Sequence, residues 1–201
     1  MSQPASGRRR SQLPSIIEFT HSLLKRVLQA GDIALDATTG NGHDTMFLAA
    51  CVGPQGHVYG FDVQQQAVEN TAQRLQDNGA EGYCTLFHCG HEEVARRVPD
   101  MQGRLSCAMF NLGYLPGSDK SVVTRHTTTI AALESLKDML KPGGLITLHL
   151  YAGHAGGDAE AQAVEEYCNV LPWPEWRVLR YDFANKQKNR ETLLVLEKSV
   201  C

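Results

Sequence analysis

Leu35-Asp36-Ala37-Thr38-Thr39-Gly40-Asn41-Gly42-His43-Asp44 ends a short apolar run on a carboxylate, turns on glycines and runs into a helix expected over 45–50. A second apolar run, His57-Val58-Tyr59-Gly60-Phe61, ends on Asp62, twenty residues beyond Gly42. Glycines let a backbone approach a ligand that a Cβ would hold off, and a helix start offers unpaired N–H groups. An acidic residue ending the second strand of such a unit is placed to accept hydrogen bonds from ribose hydroxyls. The combination describes a strand–turn–helix–strand pocket for an adenosine-containing cofactor.

The dinucleotide fingerprint would require a third glycine where this chain carries Thr45, which argues against a nicotinamide oxidoreductase. An acidic residue four positions before the glycine, as in Asp36-x-x-x-Gly40-x-Gly42, is instead the pattern of S-adenosylmethionine enzymes.

Alternating strand and helix signals continue outward from this unit. Helices are expected at 16–29, 65–78, 92–98, 128–139 and 159–169. Strands are expected at 33–35, 57–61, 85–88, 105–111, 145–151, 176–183 and 193–198, with a turn at Lys141-Pro142-Gly143-Gly144. The fold class is therefore α/β: a Rossmann-like, seven-stranded, mainly parallel sheet with helices on both faces and a C-terminal antiparallel hairpin at one edge. Residues 1–12, with the basic triplet Arg8-Arg9-Arg10, read as a flexible tail, and 13–201 as a single domain. In such sheets ligands bind beyond the carboxyl ends of the strands. Asp36, Asp62, Gly90-His91, Asn111 and Tyr151 all fall at expected strand ends.

The 201 residues carry a net charge of −3, so any nucleic-acid contact must use a local basic patch rather than a global field. No stretch has the apolar length of a membrane span and no secretion signal opens the chain, which points to the cytoplasm and to no membrane partner. The six cysteines lack framework spacing and read as free thiols. Cys84, His88, Cys89 and His91 straddle a strand that would send neighbours to opposite faces, so no metal site is expected.

Asn111-Leu112-Gly113-Tyr114-Leu115-Pro116-Gly117 follows the fourth strand, where the loop faces the transferable methyl group. An asparagine amide there and the carbonyl after it can accept hydrogen bonds from an amine and aim its lone pair. Tyr151 to Gly157 reads as a wall of the acceptor pocket, and the polar 185–190 loop as a candidate phosphate contact.

These residues resemble a family. Asp36 to Thr45, Tyr59-Gly60-Phe61-Asp62, Asn111 to Lys120 and Tyr151-Ala152-Gly153-His154 look like the small class I methyltransferases long labelled "putative rRNA methylase", which include tRNA 5-aminomethyl-2-thiouridine methyltransferases. The resemblance covers about residues 19–198. Ser118 stands where the pattern carries glycine, and Arg190-Glu191 where it carries prolines.

It implies S-adenosyl-L-methionine as cofactor, held by Asp36, Asn41, Gly42, His43, Asp62, Gln64, Gly90, His91 and Asn111. It implies Asn111 and Tyr114 at the methyl group, with Tyr114, Lys120, Tyr151 and His154 on the acceptor. The implied reaction is N-methylation of the wobble-uridine aminomethyl group, the implied partner a tRNA anticodon arm, and the implied assembly a homodimer. Ribosomal RNA or a small molecule is the alternative acceptor, and an RNA-binding scaffold without chemistry a third reading. Asp44, Asp119, His149, Tyr151 and His154 are candidates for receiving the amine proton.

Overall fold

The computed structural model describes residues 11–113, 124–151, 157–186 and 190–200. Tyr114, Lys120, Asp119, Ser118, His154, Lys188 and the Arg8-Arg9-Arg10 tail lie outside these residues.

The chain enters through α1 (Ile16–Val27), whose start is fixed by a reciprocal cap. The Ser15 hydroxyl accepts from the Glu18 N–H at 3.2 Å, and the Glu18 carboxylate accepts from the Ser15 N–H at 2.8 Å. Ile16, Thr20 and Leu24 bury one stripe, while Lys25 and Arg26 sit at the negative end of the helix dipole. The helix stops two residues before the expected end, because Leu28 turns extended.

Strands β1 (Ile33–Asp36), β2 (His57–Asp62), β3 (Cys84–His88) and β4 (Leu105–Leu112) alternate with α2 (His43–Val52), α3 (Gln65–Asp77) and α4 (Val94–Arg97). A 3-10 turn at His91–Glu93 precedes α4, so the helix expected over 92–98 is split. Then come α5 (His126–Met139), β5 (Leu140–Tyr151), α6 (Gly157–Asn169), β6 (Trp176–Asp182) and β7 (Glu191–Lys198). The sheet order is β3-β2-β1-β4-β5-β7-β6. The pairs among β1 to β5 are parallel, whereas β7 runs antiparallel to both β5 and β6. The expected hairpin is present, with β7 inserted beside β5 and β6 left at the edge.

The expected turn at 141–144 behaves differently. Leu105 pairs with Leu140, and the next pair is Cys107 with Leu145, so Lys141 to Gly144 bulge out within β5. Gly143 sits at φ +77°, and Lys141 donates to Asp32 at 2.7 Å. The four residues turn as their composition predicts, but strand pairing resumes on both sides.

Side chains of β4 show why the sheet is covered twice. Cys107 and Met109 join Leu24, Leu48, Val52 and Leu75 from α1 to α3 on one face. Ala108 and Phe110 join Val94, Leu133, Leu136 and Val164 from α4 to α6 on the other. A central parallel strand buried on both faces is mostly apolar, as Cys107 to Phe110 are; Ser106 is the buried polar exception before Asn111.

After β1 the chain builds β2 and β3 on one side, then crosses to place β4 on the other. The crevice beyond β1 and β4 is the switch point of the sheet, where ligands bind in open α/β folds.

Candidate active site

Asp36 ends β1 fully buried. Its carboxylate accepts from the Thr45 hydroxyl at 2.6 Å and the Thr38 N–H at 3.1 Å. Burial above all, with the neighbouring Asp44 charge, pushes its pKa up to about 7; the Thr45 and Thr38 bonds oppose the shift. Asp36 therefore ties the first strand to the glycine turn and to α2.

The turn itself comes within reach of a ligand because of its glycines. Gly42 caps α2 at φ +76°, and a Cβ there would lie 2.9 Å from Thr71 Cα of α3. Gly60, inside β2, faces Thr39 of the turn, whose methyl carbon would lie 2.6 Å from an added Cβ. Gly42 has no side chain to cap α2, so the N–H groups of its first turn take no cap bond from that position and face solvent or a ligand.

Asp62 ends β2 half-buried. One carboxylate oxygen accepts from the Gly40 N–H at 2.9 Å and the other from the Gln64 N–H at 2.9 Å. Each oxygen keeps a second lone-pair site, so the carboxylate is fixed in direction while still able to receive two hydroxyls.

Asn41 and His43 project toward α3. The Asn41 carbonyl groups accept from Arg74 Nε at 2.7 Å and from the Asn70 amide at 3.0 Å, and His43 Nε2 lies 3.3 Å from Arg74. These residues line an open polar cleft of about 420 Å³ together with Gln73, Asp77 and Asn78.

Gly90 precedes the 3-10 turn, and His91 folds back under the glycine turn. Its Nδ1 lies 3.1 Å from the Ala37 carbonyl, which only accepts, so Nδ1 carries the hydrogen and Nε2 is the acceptor end. That Nε2 is buried without a partner among the described residues, and the ring meets Phe110 edge-on. Burial, opposed by the Ala37 bond, pulls the His91 pKa below its usual value.

Asn111, one residue before the end of β4, stands at the meeting point of these parts. Its N–H donates to the Thr38 hydroxyl at 2.8 Å, joining the β4 end to the β1 turn. Its side-chain amide donates to Asp44 Oδ2 at 2.8 Å. Asp44 also receives His21 Nε2 at 2.7 Å. Burial alone would raise the Asp44 pKa; the bonds from His21 and Asn111 outweigh it and hold the carboxyl below its usual range.

Beside Asn111 in the sheet register stands His149, and two residues further along β5 Tyr151 pairs with Glu191 of β7. The His149 ring packs on Tyr151 with centroids 4.0 Å apart, and its Nε2 lies 3.5 Å from Glu191 without a hydrogen bond. Burial pushes the His149 pKa down to about 4, with Glu191 and Asp44 opposing. Burial, helped by the Glu191 and Asp44 charges, pushes the Tyr151 phenol up to about 12. Lys186 is paired with Glu191 at 2.6 Å.

The strand-end residues singled out in the sequence thus converge, apart from those outside the described residues. Sequence reasoning missed Thr38, Glu191 and His21. No local pattern marks His21, a histidine in an otherwise ordinary amphipathic helix. Among the described residues no group of three or more His, Cys, Asp or Glu is arranged for a metal, and the described cysteines are free thiols. No described helix is long and apolar enough to cross a membrane.

Comparison with known proteins bears on this geometry. Residues 58–197 match the family model described as Putative rRNA methylase, and residues 3–103 match that of protein-L-isoaspartate(D-aspartate) O-methyltransferase. A putative rRNA-methylase structure from Clostridium thermocellum superposes with a TM-score of 0.89 at 37% identity, covering 94% of this chain and 100% of that one. A putative methyltransferase from Streptococcus mutans, solved in complex with SAH, gives 0.83 at 33% identity, covering 93% and 99%.

The chloroplastic tRNA (mnm(5)s(2)U34)-methyltransferase of Arabidopsis thaliana is 39% identical over 177 residues, 84% of this chain. The match spans 64% of the length of that relative. The chain belongs to the Putative rRNA methylase family and has the fold of the S-adenosylmethionine-dependent methyltransferases.

Proposed function

We propose that this protein N-methylates the 5-aminomethyl group of 5-aminomethyl-2-thiouridine at the wobble position of tRNA, giving the 5-methylaminomethyl form. The observation that carries the reading is Asn111. Its amide nitrogen is committed to Asp44, so its carbonyl is the end left to accept from a substrate amine. The Arabidopsis relative, whose name gives mnm(5)s(2)U34, the methylated nucleoside, supports this choice of reaction.

The residues present fit the cofactor. Asp62 is oriented to take the ribose hydroxyls, with Gln64 beside it, and the helix start after Gly42 offers N–H groups to the methionine carboxylate. Gly90 and His91 border the adenine position, where His91 Nε2 is an acceptor. Asp36 shapes the turn, and Asn41 and His43 brace it against α3. When bound, S-adenosylmethionine supplies a methyl group on a sulfonium, which departs as a neutral thioether once the amine nitrogen has taken the methyl.

The chain's own task is to present a neutral, aimed amine. A free alkyl amine has a pKa of roughly 10 and is protonated at neutral pH. The Asn111 carbonyl accepts one amine hydrogen and directs the lone pair away from itself. Burial holds His149 neutral at the same strand end and makes it a weak base, so it adds no second positive charge beside the sulfonium, whereas Asp44 is fixed as an anion between two donors. Tyr151 offers a ring to an unstacked base, and Tyr114, Lys120 and His154 complete the acceptor side as carried over from the family pattern. The tRNA anticodon arm as partner, a homodimer and a cytoplasmic site of action belong to the same reading.

The direct test is transfer from labelled S-adenosylmethionine to bulk tRNA of cells lacking this protein, followed by nucleoside analysis. Label in 5-methylaminomethyl-2-thiouridine is expected; label only in ribosomal RNA or a small metabolite would move the reaction to that acceptor.

A further inference from the structure

An asparagine side chain has two ends of similar shape and opposite hydrogen-bonding character. Rotated by half a turn, Asn111 would point its NH₂ group at the acceptor amine and repel the hydrogens it should receive. Something must therefore fix the amide, and the structure shows what does. Asp44 Oδ2 takes the Asn111 Nδ2 hydrogen at 2.8 Å. An ionised carboxylate only accepts, so it cannot tolerate the carbonyl end in that position.

Asp44 is itself held. It opens the first turn of α2, and its other oxygen receives His21 Nε2 from α1 at 2.7 Å. The His21 ring lies flat on Phe47, centroids 3.7 Å apart and planes 2° from parallel, so its direction is set by stacking. The side chains of His21 and Asp44 are 26% and 14% exposed, which shelters the line from water. Phe47 thus orients His21, His21 orients Asp44, and Asp44 orients Asn111.

Resting on the amine-methylation reading above, we propose that His21 and Asp44 are positioning residues for methyl transfer. The His21–Asp44–Asn111 line keeps the Asn111 carbonyl facing the acceptor nitrogen, and α1 is thereby part of the active site. Neither residue needs to touch the acceptor.

Two measurements on the full chain test this. In ¹⁵N-labelled protein, the Asn111 side-chain amide, identified by its loss in Asn111→Ala, reports the anchor directly and without substrate. His21→Phe keeps a ring on Phe47 but removes the donor. It should shift that resonance and speed its exchange with water about tenfold, while His21→Gln, which restores a donor, recovers most of the change. In methyl transfer to tRNA, His21→Phe should lower kcat about tenfold with the KM for S-adenosylmethionine nearly unchanged. The same substitution should cost nothing further in an Asn111→Ala background.

An unmoved Asn111 resonance overturns the proposal. Losses that add in the double variant, or that fall on cofactor KM, overturn it as well. Wild-type protein that methylates no tRNA would end the amine reading instead, and the resonance would still decide whether His21 holds Asn111.

Discussion

Asp36 and Asp62 end neighbouring strands, yet their surroundings give them opposite work. Asp36 is enclosed and pushed up to about 7, chiefly by burial. Between its ordinary value near 3.8 and 7 the folded chain keeps a proton that the unfolded chain has released. The native state then binds more protons than the unfolded state, so stability falls as pH rises through this window, by about 1.4 kcal/mol per unit at most. Denaturant titrations should show Asp36→Asn losing less stability than wild type between pH 5 and 8. An equal gap at both pH values would contradict that assignment.

Asn111 carries the second residue-scale prediction. Asn111→Ala should cut turnover by about a hundredfold or more while leaving S-adenosylmethionine affinity within a fewfold, read by single-turnover kinetics and calorimetry. Equal losses in both would place Asn111 in cofactor binding alone. Spacing made Asp62 and Asn111 legible, since each is the first polar residue after an apolar strand. His21 was illegible because its partner, Asp44, is 23 residues away and belongs to another helix.

Elements were legible to the extent that their signals are local. The continuous apolar run of β4 marks a strand buried on both faces, and the buried Thr45, Leu48, Ala49 and Val52 of α2 follow the helical period. The Pro-Gly-Gly composition of 141–144 predicts a turn, but its place inside β5 depends on the pairing of Leu140 with Leu105. The insertion of β7 between β5 and β6 is likewise a matter of pairing, and it sets Glu191 opposite Tyr151.

The glycine turn is where an element depends on one backbone angle. Gly42→Ala must force an L side chain to φ +76° and bring its Cβ to 2.9 Å from Thr71 Cα. We expect a loss of about 1–3 kcal/mol in unfolding free energy together with weaker S-adenosylmethionine binding. Wild-type stability in that variant would mean that the turn relaxes freely and the close approach to α3 is incidental.

For the whole molecule, the net charge of −3 leaves RNA binding to local cations. Two of the candidates differ in how free they are: Lys186 is already paired with Glu191, whereas Arg190 is exposed near the start of β7. Affinity for an anticodon stem–loop should nonetheless fall with salt, with a log–log slope of about −0.7 for each single-stranded phosphate contacted. A flat response between low and moderate salt would favour a small-molecule acceptor.

Fold, cofactor pocket and acceptor come together in one reaction, methylation of the wobble-uridine amine. Its most direct measurement is mass spectrometry of tRNA nucleosides from cells deleted for this protein, with and without the wild-type chain restored. 5-Aminomethyl-2-thiouridine should accumulate in the deletion and return to the 5-methylaminomethyl form on restoration. An unchanged wobble nucleoside in the deletion would contradict this.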